Sequence, residues 1–190
     1  QAASGFSVER SHKLERLKGM LEEVVAAGDS VLIFSQFTES CEGLVKLLRE
    51  QFSYPTHYLH GGTSRTRRER MIESFQDPDG APSVFVLSLK AGGVGITLTK
   101  ANHVFHFDRW WNPAVEDQAS DRAYRIGQNK TVFVHKFVTI GTLEERINTM
   151  IEQKQAIADS VVGDGESWLA QLDDEHFREL IALNRDAVMT

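Results

Sequence analysis

The sequence predicts an α/β fold: a parallel sheet flanked by helices on both faces, with additional helices at the C-terminal end. Three observations carry this. Two short runs, "VLIFSQF" and "SVFVLSL", are apolar almost throughout, the mark of strands buried on both faces. They alternate with helical stretches of about 10–15 residues, the β-α-β pattern of a parallel sheet. Polar and glycine residues gather just after the strands, in "SQFT", "HGGT", "SLKAGG" and "DRWWNP", where ligands bind in such sheets.

Each element has its own warrant. "HKLERLKGMLEEVVAAG" places apolar residues at helical spacing and stops at Gly28, a C-terminal glycine. "VLIFSQF" follows as a strand, "ESCEGLVKLLREQF" as a helix and "THYLH" as the next strand. "SRTRRERMIESFQ" is helical and runs into the turn "DPDG". "SVFVLSL" leads to the glycine loop "KAGGVGITL". "HVFHFD" and "TVFVHKFV" are further strands, separated by a helix that Asn112 caps, Pro113 opens and Gly127 stops. Beyond "GTLEERINTMIEQKQAIADSVV" the pattern is helical only, so residues 1–141 are expected to form the sheet domain and 142–190 a helical extension packing on it or bracing it.

Composition bounds the function. The 190 residues are 41% hydrophobic and 25% charged, ample for a sizeable core. No apolar run approaches the ~18–20 residues of a membrane span, and "QAASGFSVERSHK" lacks the apolar middle of a secretory signal. The single cysteine, Cys41, excludes an internal disulfide framework, fits a reducing cytosol and reads as packing. A net charge of −6 argues against a protein coated in basic surface, but the stripe "RTRRER" at 65–70 leaves local nucleic-acid binding open.

The chemistry-bearing residues are individually ambiguous. Gln118, Arg122 and Arg125 in "DQASDRAYRIGQ" fall at i, i+4 and i+7, one face of a helix, and guanidinium forks suit phosphate oxygens. Yet no G-x-x-x-x-G-K-[ST] loop accompanies them. "AGGVGI" lacks the third glycine of a dinucleotide fingerprint, Leu98 standing in its place. Its glycines either admit an anion close to the backbone or simply turn the chain. "HGGTSRTRR" offers free N–H groups, hydroxyls and arginine to a phosphate. His57/His60 and His103/His106 are three apart on strands, so the partners point to opposite faces, which disfavours zinc. "LDDEH" at 172–176 mimics a magnesium-holding acidic box but follows no buried apolar strand, and reads as an exposed loop or helix start. Neither a nucleophile elbow nor a pair of carboxylates on a recognisable scaffold is present, so ester and sugar hydrolysis are not indicated.

Taken together, "VLIFSQFTES", "YLHGGTSRTRRERMIESF", "LSLKAGGVGITLTKANHVFHFDRWWNPAVEDQASDRAYRIGQ" and "KFVTIGTLEERI" resemble, in order and spacing, the second RecA-like lobe of Swi/Snf-type ATPases of helicase superfamily 2. The resemblance covers about residues 10–160 and looks most like the bacterial and archaeal branch.

The resemblance implies an ATP site shared between lobes. The phosphate loop and the acidic box that holds Mg2+ would lie on the N-terminal RecA-like lobe of the parent, and this half would supply arginine fingers. Matching residue by residue, Arg125 is the expected main finger, Arg122 shares or orients the phosphate contact, and Gln118 positions both. Gly93 and Gly95 match the motif that approaches the nucleotide. Gln36, Gly61, Thr63, Arg68, Ser88, Lys90 and Trp111 match positions along the DNA track. Three departures stand out. Gly62 occupies a position where serine is common, Lys90 stands where arginine is common, and Trp110 is extra, a DNA contact or core packing. The implied activity is ATP-driven translocation on double-stranded DNA, with slight sequence preference, DNA-bound proteins as further partners and no membrane role. Without its partner lobe the segment is expected to be inactive. The parent would lie with DNA, in the cytoplasm of a prokaryote or the nucleus of a eukaryote. Two alternatives remain: a non-catalytic scaffold, which has no need of Arg122 and Arg125, and a strand-separating helicase, which the "DRxxRIGQ" wording disfavours.

Overall fold

Two almost wholly apolar runs form the middle of a five-stranded sheet. The computed structural model describes residues 12–88, 95–110, 112–124 and 127–158. β1 (Ser30–Ser35) and β3 (Val84–Ser88) are buried at every residue and pair in parallel from Val31↔Val84 to Ser35↔Ser88. β4 (Ala101–His106) lies on the other side of β1, with Phe34 opposite His106. β2 (Thr56–Leu59) and β5 (Phe133–Lys136) close the edges, giving the order β2-β3-β1-β4-β5, parallel throughout.

Strand alternation divides the core between two faces. Val31, Ile33, Val84 and Val86 face α1 (His12–Ala26) and α2 (Thr38–Glu50), which contribute Leu17, Leu21, Leu44 and Leu48. Leu32, Phe34, Phe85 and Leu87 face α3 (Arg65–Gln76) and α4 (Pro113–Ser120), which contribute Phe75 and Ala119. Helices on both faces of a parallel sheet are the architecture anticipated from the sequence. The helix stops also follow local chemistry. Gly28 leaves α1 at φ 81°, and Asp29 N donates back to Val24 O (3.1 Å). At the turn after α3, Lys100 Nζ donates to Asp77 O (2.6 Å) and Gly80 O (2.9 Å).

β5 is an exposed edge, with Phe133 and Val134 accessible to solvent. Past it, α5 (Leu143–Ala158) buries Ile147 and Ile151 and is tied to α1 by Lys13 Nζ and Glu144 Oε2, 2.7 Å apart. No described helix is long and apolar enough to cross a membrane. The "LDDEH" segment and the rest of the expected helical extension lie outside the described residues.

Candidate functional site

Where the strands leave the sheet, the chain is held by short ties between side chains and backbone. Asp108, just past β4, accepts from Ser35 Oγ and from Gln36 N (2.9 Å), joining the exits of β1 and β4. Burial raises its carboxyl above the usual range, and those two hydrogen bonds pull it partly back. Gln36 Nε2 donates to Arg109 O (3.1 Å), so the amide expected on the DNA track also braces the neighbouring exit. Ser88, at the exit of β3, is buried. Lys13 reaches the same edge from α1, with Nζ 4.9 Å from the Phe107 ring centre. The carboxylate that holds Lys13, Glu144, also accepts from Thr139 N (3.1 Å).

At the exit of β2, "HGGT" folds into a tight loop. Thr63 N donates to His60 O (3.0 Å), and His60 N donates to Thr63 Oγ1 (3.1 Å), turning that hydroxyl inward. Thr63 is buried and Gly61 is open, with nothing near an added Cβ. Ser64 caps α3 by accepting from Arg67 N (3.4 Å). Along α3, Arg65 pairs with Glu69 (2.8 Å) in full solvent, while Arg68 is half-buried and its Nε makes no hydrogen bond.

Helix α4 is pinned at both ends. Its start follows the sequence: Asn112 Oδ1 accepts from Ala114 N (3.0 Å) and Pro113 takes the first position. Glu116, fully buried, accepts from Trp110 N (2.9 Å) and forms ion pairs with Arg109 Nη1 (3.4 Å) and Lys136 Nζ (3.0 Å). One turn on, Ser120 Oγ meets His106 Nε2 (2.9 Å) and donates to Glu116 O (3.0 Å). The His106 ring stacks on Phe34, and burial, aided by Lys136 and Arg109, lowers its pKa to about 3. It is a neutral core histidine.

The arginine segment departs from expectation. α4 ends at Ser120 rather than near Gly127, and residues 121–123 tighten into a turn: Arg122 N donates to Ala119 O (3.2 Å) and Ala123 N to Ser120 O (3.0 Å). The carbonyls that could have served a longer helix have other partners. Leu98 N donates to Arg122 O (2.9 Å). Gln128 Nε2 donates to Ala123 O (3.3 Å) and to Thr99 O and Ala101 O (2.9 Å each). The expectation that Gln118 and Arg122 share one helix face is therefore corrected: Gln118 is exposed, while Arg122 is only 4% accessible.

Ala101 opens β4, so the Arg122 turn lies at the strand-entry end of the sheet, whereas Asp108 lies at the exit. At about 3.3 Å per residue the six residues of β4 hold these ends roughly 17 Å apart. Gln36, Asp108 and the "HGGT" loop do lie at the strand exits, as expected, and the arginine turn lies at the opposite end. Gly95 begins the described stretch that leads to Leu98, is exposed, and has nothing within 4 Å of an added Cβ. Arg125, Gly93, Lys90 and Trp111 lie outside the described residues. Trp110 is half-buried and packs against the α3–α4 side of the core.

Sequence reasoning missed Asp108, Glu116's role as a hub, Gln128 and Glu144. Each has at least one partner distant in the chain, and only the polar character of "RIGQ" and "GTLEER" hinted at work there. Among the described residues no group of three or more His, Cys, Asp or Glu side chains is placed to hold a metal ion.

Comparison with known proteins adds independent findings. Residues 12–127 match the family described as helicase conserved C-terminal domain. The chain is 45% identical over 178 residues to the "Putative ATP-dependent helicase/translocase YwqA" of Bacillus subtilis, covering 94% of this chain and 19% of that protein. It is 39% identical to DNA repair protein RAD5A of Arabidopsis thaliana, covering 86% of this chain and 16% of that protein. The chain thus spans about a fifth of the length of these curated relatives. Among solved structures, the Sulfolobus solfataricus SWI2/SNF2 ATPase C-terminal domain superposes with a TM-score of 0.72 at 36% identity, over 94% of this chain and 72% of that one. The Sulfolobus core in complex with double-stranded DNA gives 0.76 at 37% identity, over 94% and 37%.

Proposed function

The chain belongs to the helicase conserved C-terminal domain family, in its Swi2/Snf2 ATPase branch, and from that premise we propose that it works as the second lobe of an ATP-driven translocase on double-stranded DNA. The observation that carries this reading is the division of labour across one sheet. A stapled arginine turn lies at the strand-entry end, a polar and basic edge lies at the strand exits, and α4 joins them.

ATP binds between the lobes, with the phosphate loop and magnesium on the N-terminal one. Here the chain's task is electrostatic. Arg125 is the main finger, stabilising charge on the transferring phosphoryl oxygens, and Arg122 shares that contact or orients it. Arg122 needs a fixed backbone, and hydrogen bonds from Leu98 N to Arg122 O and from Gln128 to Ala123 O contribute to it. At the exits, Gln36, Gly61, Arg68 and the α3 arginines take the DNA backbone, a role the family resemblance also gives to Lys90 and Trp111. Phosphate contacts of this kind give slight sequence preference and strong salt sensitivity. Lobe closure on ATP and opening after hydrolysis alternate the grip on the duplex. DNA-bound proteins displaced by that movement are the natural further partners, and the parent resides with DNA.

In the parent protein, Arg125→Ala removes DNA-stimulated ATP turnover and leaves DNA binding nearly intact. Equal loss of both activities contradicts a finger role. This lobe alone turns over no ATP above background, and turnover by it contradicts a split site.

A further inference from the structure

We propose that the His60 imidazole is a DNA-backbone ligand whose Nε2–H donates to a phosphate oxygen at the β2 exit. The contact rests on reading the strand exits as the DNA track. Four observations fix the ring and leave that donor outward.

Nδ1 accepts from Gly62 N (3.2 Å). A neutral imidazole that accepts at Nδ1 carries its hydrogen on Nε2. The backbone of the same residue is held twice more, by Thr63 Oγ1 and by Thr63 N. Tyr58 packs against the ring, centroids 5.0 Å apart, and limits its swing. Nε2 has no partner among the described residues, nor is it one of the buried polar atoms left without one.

Gly62 makes room for this arrangement. An added Cβ there would come within 3.2 Å of His60 Cε1 and 3.3 Å of Nδ1. A serine at this position would crowd the ring, so the imidazole takes over the donor role that a hydroxyl would fill. Three of the other hydroxyls at these exits are committed inward: Thr63 closes the loop, Ser35 holds Asp108, and Ser88 is buried. A phosphate diester only accepts hydrogen bonds, so a neutral N–H suits it without protonation. β2 lies two strand spacings from β1, so His60 and Gln36 stand about 10 Å apart along the edge, close enough for one DNA strand to cross both.

The test compares the wild-type parent protein with His60→Asn and His60→Ala on a short duplex carrying single methylphosphonates scanned along each strand. Asparagine keeps an acceptor near Nδ1 for Gly62 N–H but removes the Nε2 donor. Both variants are expected to bind about tenfold more weakly. One methylphosphonate should weaken the wild type and have no further effect in His60→Asn. Wild-type affinity in His60→Asn with loss only in His60→Ala would mean that the ring merely closes the loop, and would overturn the proposal. So would a methylphosphonate penalty at every sensitive position that persists in His60→Asn. If the wild type does not bind the duplex, or Arg68→Ala leaves binding unchanged, the DNA-track reading itself fails.

Discussion

The two ends of the sheet are built for different tolerances. At the strand exits, Arg65, Arg67 and Arg70 of α3 stand in solvent, where charge matters more than placement and salt screens the interaction. At the strand entries, Arg122 is buried in a turn whose carbonyls are claimed by Leu98 and Gln128. A DNA track needs positive potential along a surface. A catalytic guanidinium must meet a transferring phosphoryl group to within a fraction of an ångström. On the proposed function, rigidity is concentrated where geometry would decide the rate.

The sharpest way to break this comparison is chemical. Arg122→Ala in the parent is expected to lower kcat by about 10³-fold while DNA affinity changes less than about twofold. A comparable loss in both would erase the distinction between the ends. Next in size is Glu116→Ala, which leaves Arg109 buried without its counter-charge and should destabilise the fold by about 3 kcal/mol, read from denaturant midpoints. Glu116→Gln keeps an acceptor for Trp110 N and should cost less than the alanine. Gln128→Ala orphans the carbonyls of Thr99, Ala101 and Ala123. We expect about 2 kcal/mol of lost stability, and a kcat defect larger than any change in DNA affinity. If DNA affinity falls more than kcat, the staple serves the wrong end.

The smallest effect is a pH dependence at the link between the ends. The His106 pKa is about 3 in the fold against an ordinary 6.5, so its contribution to stability is complete above about pH 6.5 and is lost as pH falls toward 3. Between pH 6.5 and 5.5 that amounts to about 1 kcal/mol. His106→Asn should flatten this part of the curve, measured by denaturant midpoint against pH.

Much of the fold was legible because its signals are local. "VLIFSQF" and "SVFVLSL" announce buried strands through composition, and Asn112-Pro113 and Gly28 mark helix ends through backbone chemistry. The site was less legible because its geometry depends on distant partners. Helical spacing put Gln118 and Arg122 on one face, but Leu98 and Gln128 bind carbonyls that a longer helix could have used. Glu116 gains Arg109 and Lys136 as partners only in the fold. The rule that ligands gather at strand exits said nothing of the arginine turn, which lies beside the start of β4.

The strand order has a consequence for biosynthesis. β1 sits at the centre of the sheet, yet its neighbours β3 and β4 are made much later. At ribosomal rates of ~5–20 residues per second, the apolar β1 segment waits on the order of several seconds for β4 to emerge. During that interval α1 and α2 are its local company, and they can shelter one side only. A nascent chain of this design is most exposed to misassociation before residue 106 leaves the exit tunnel, which makes that interval the natural point of action for chaperones.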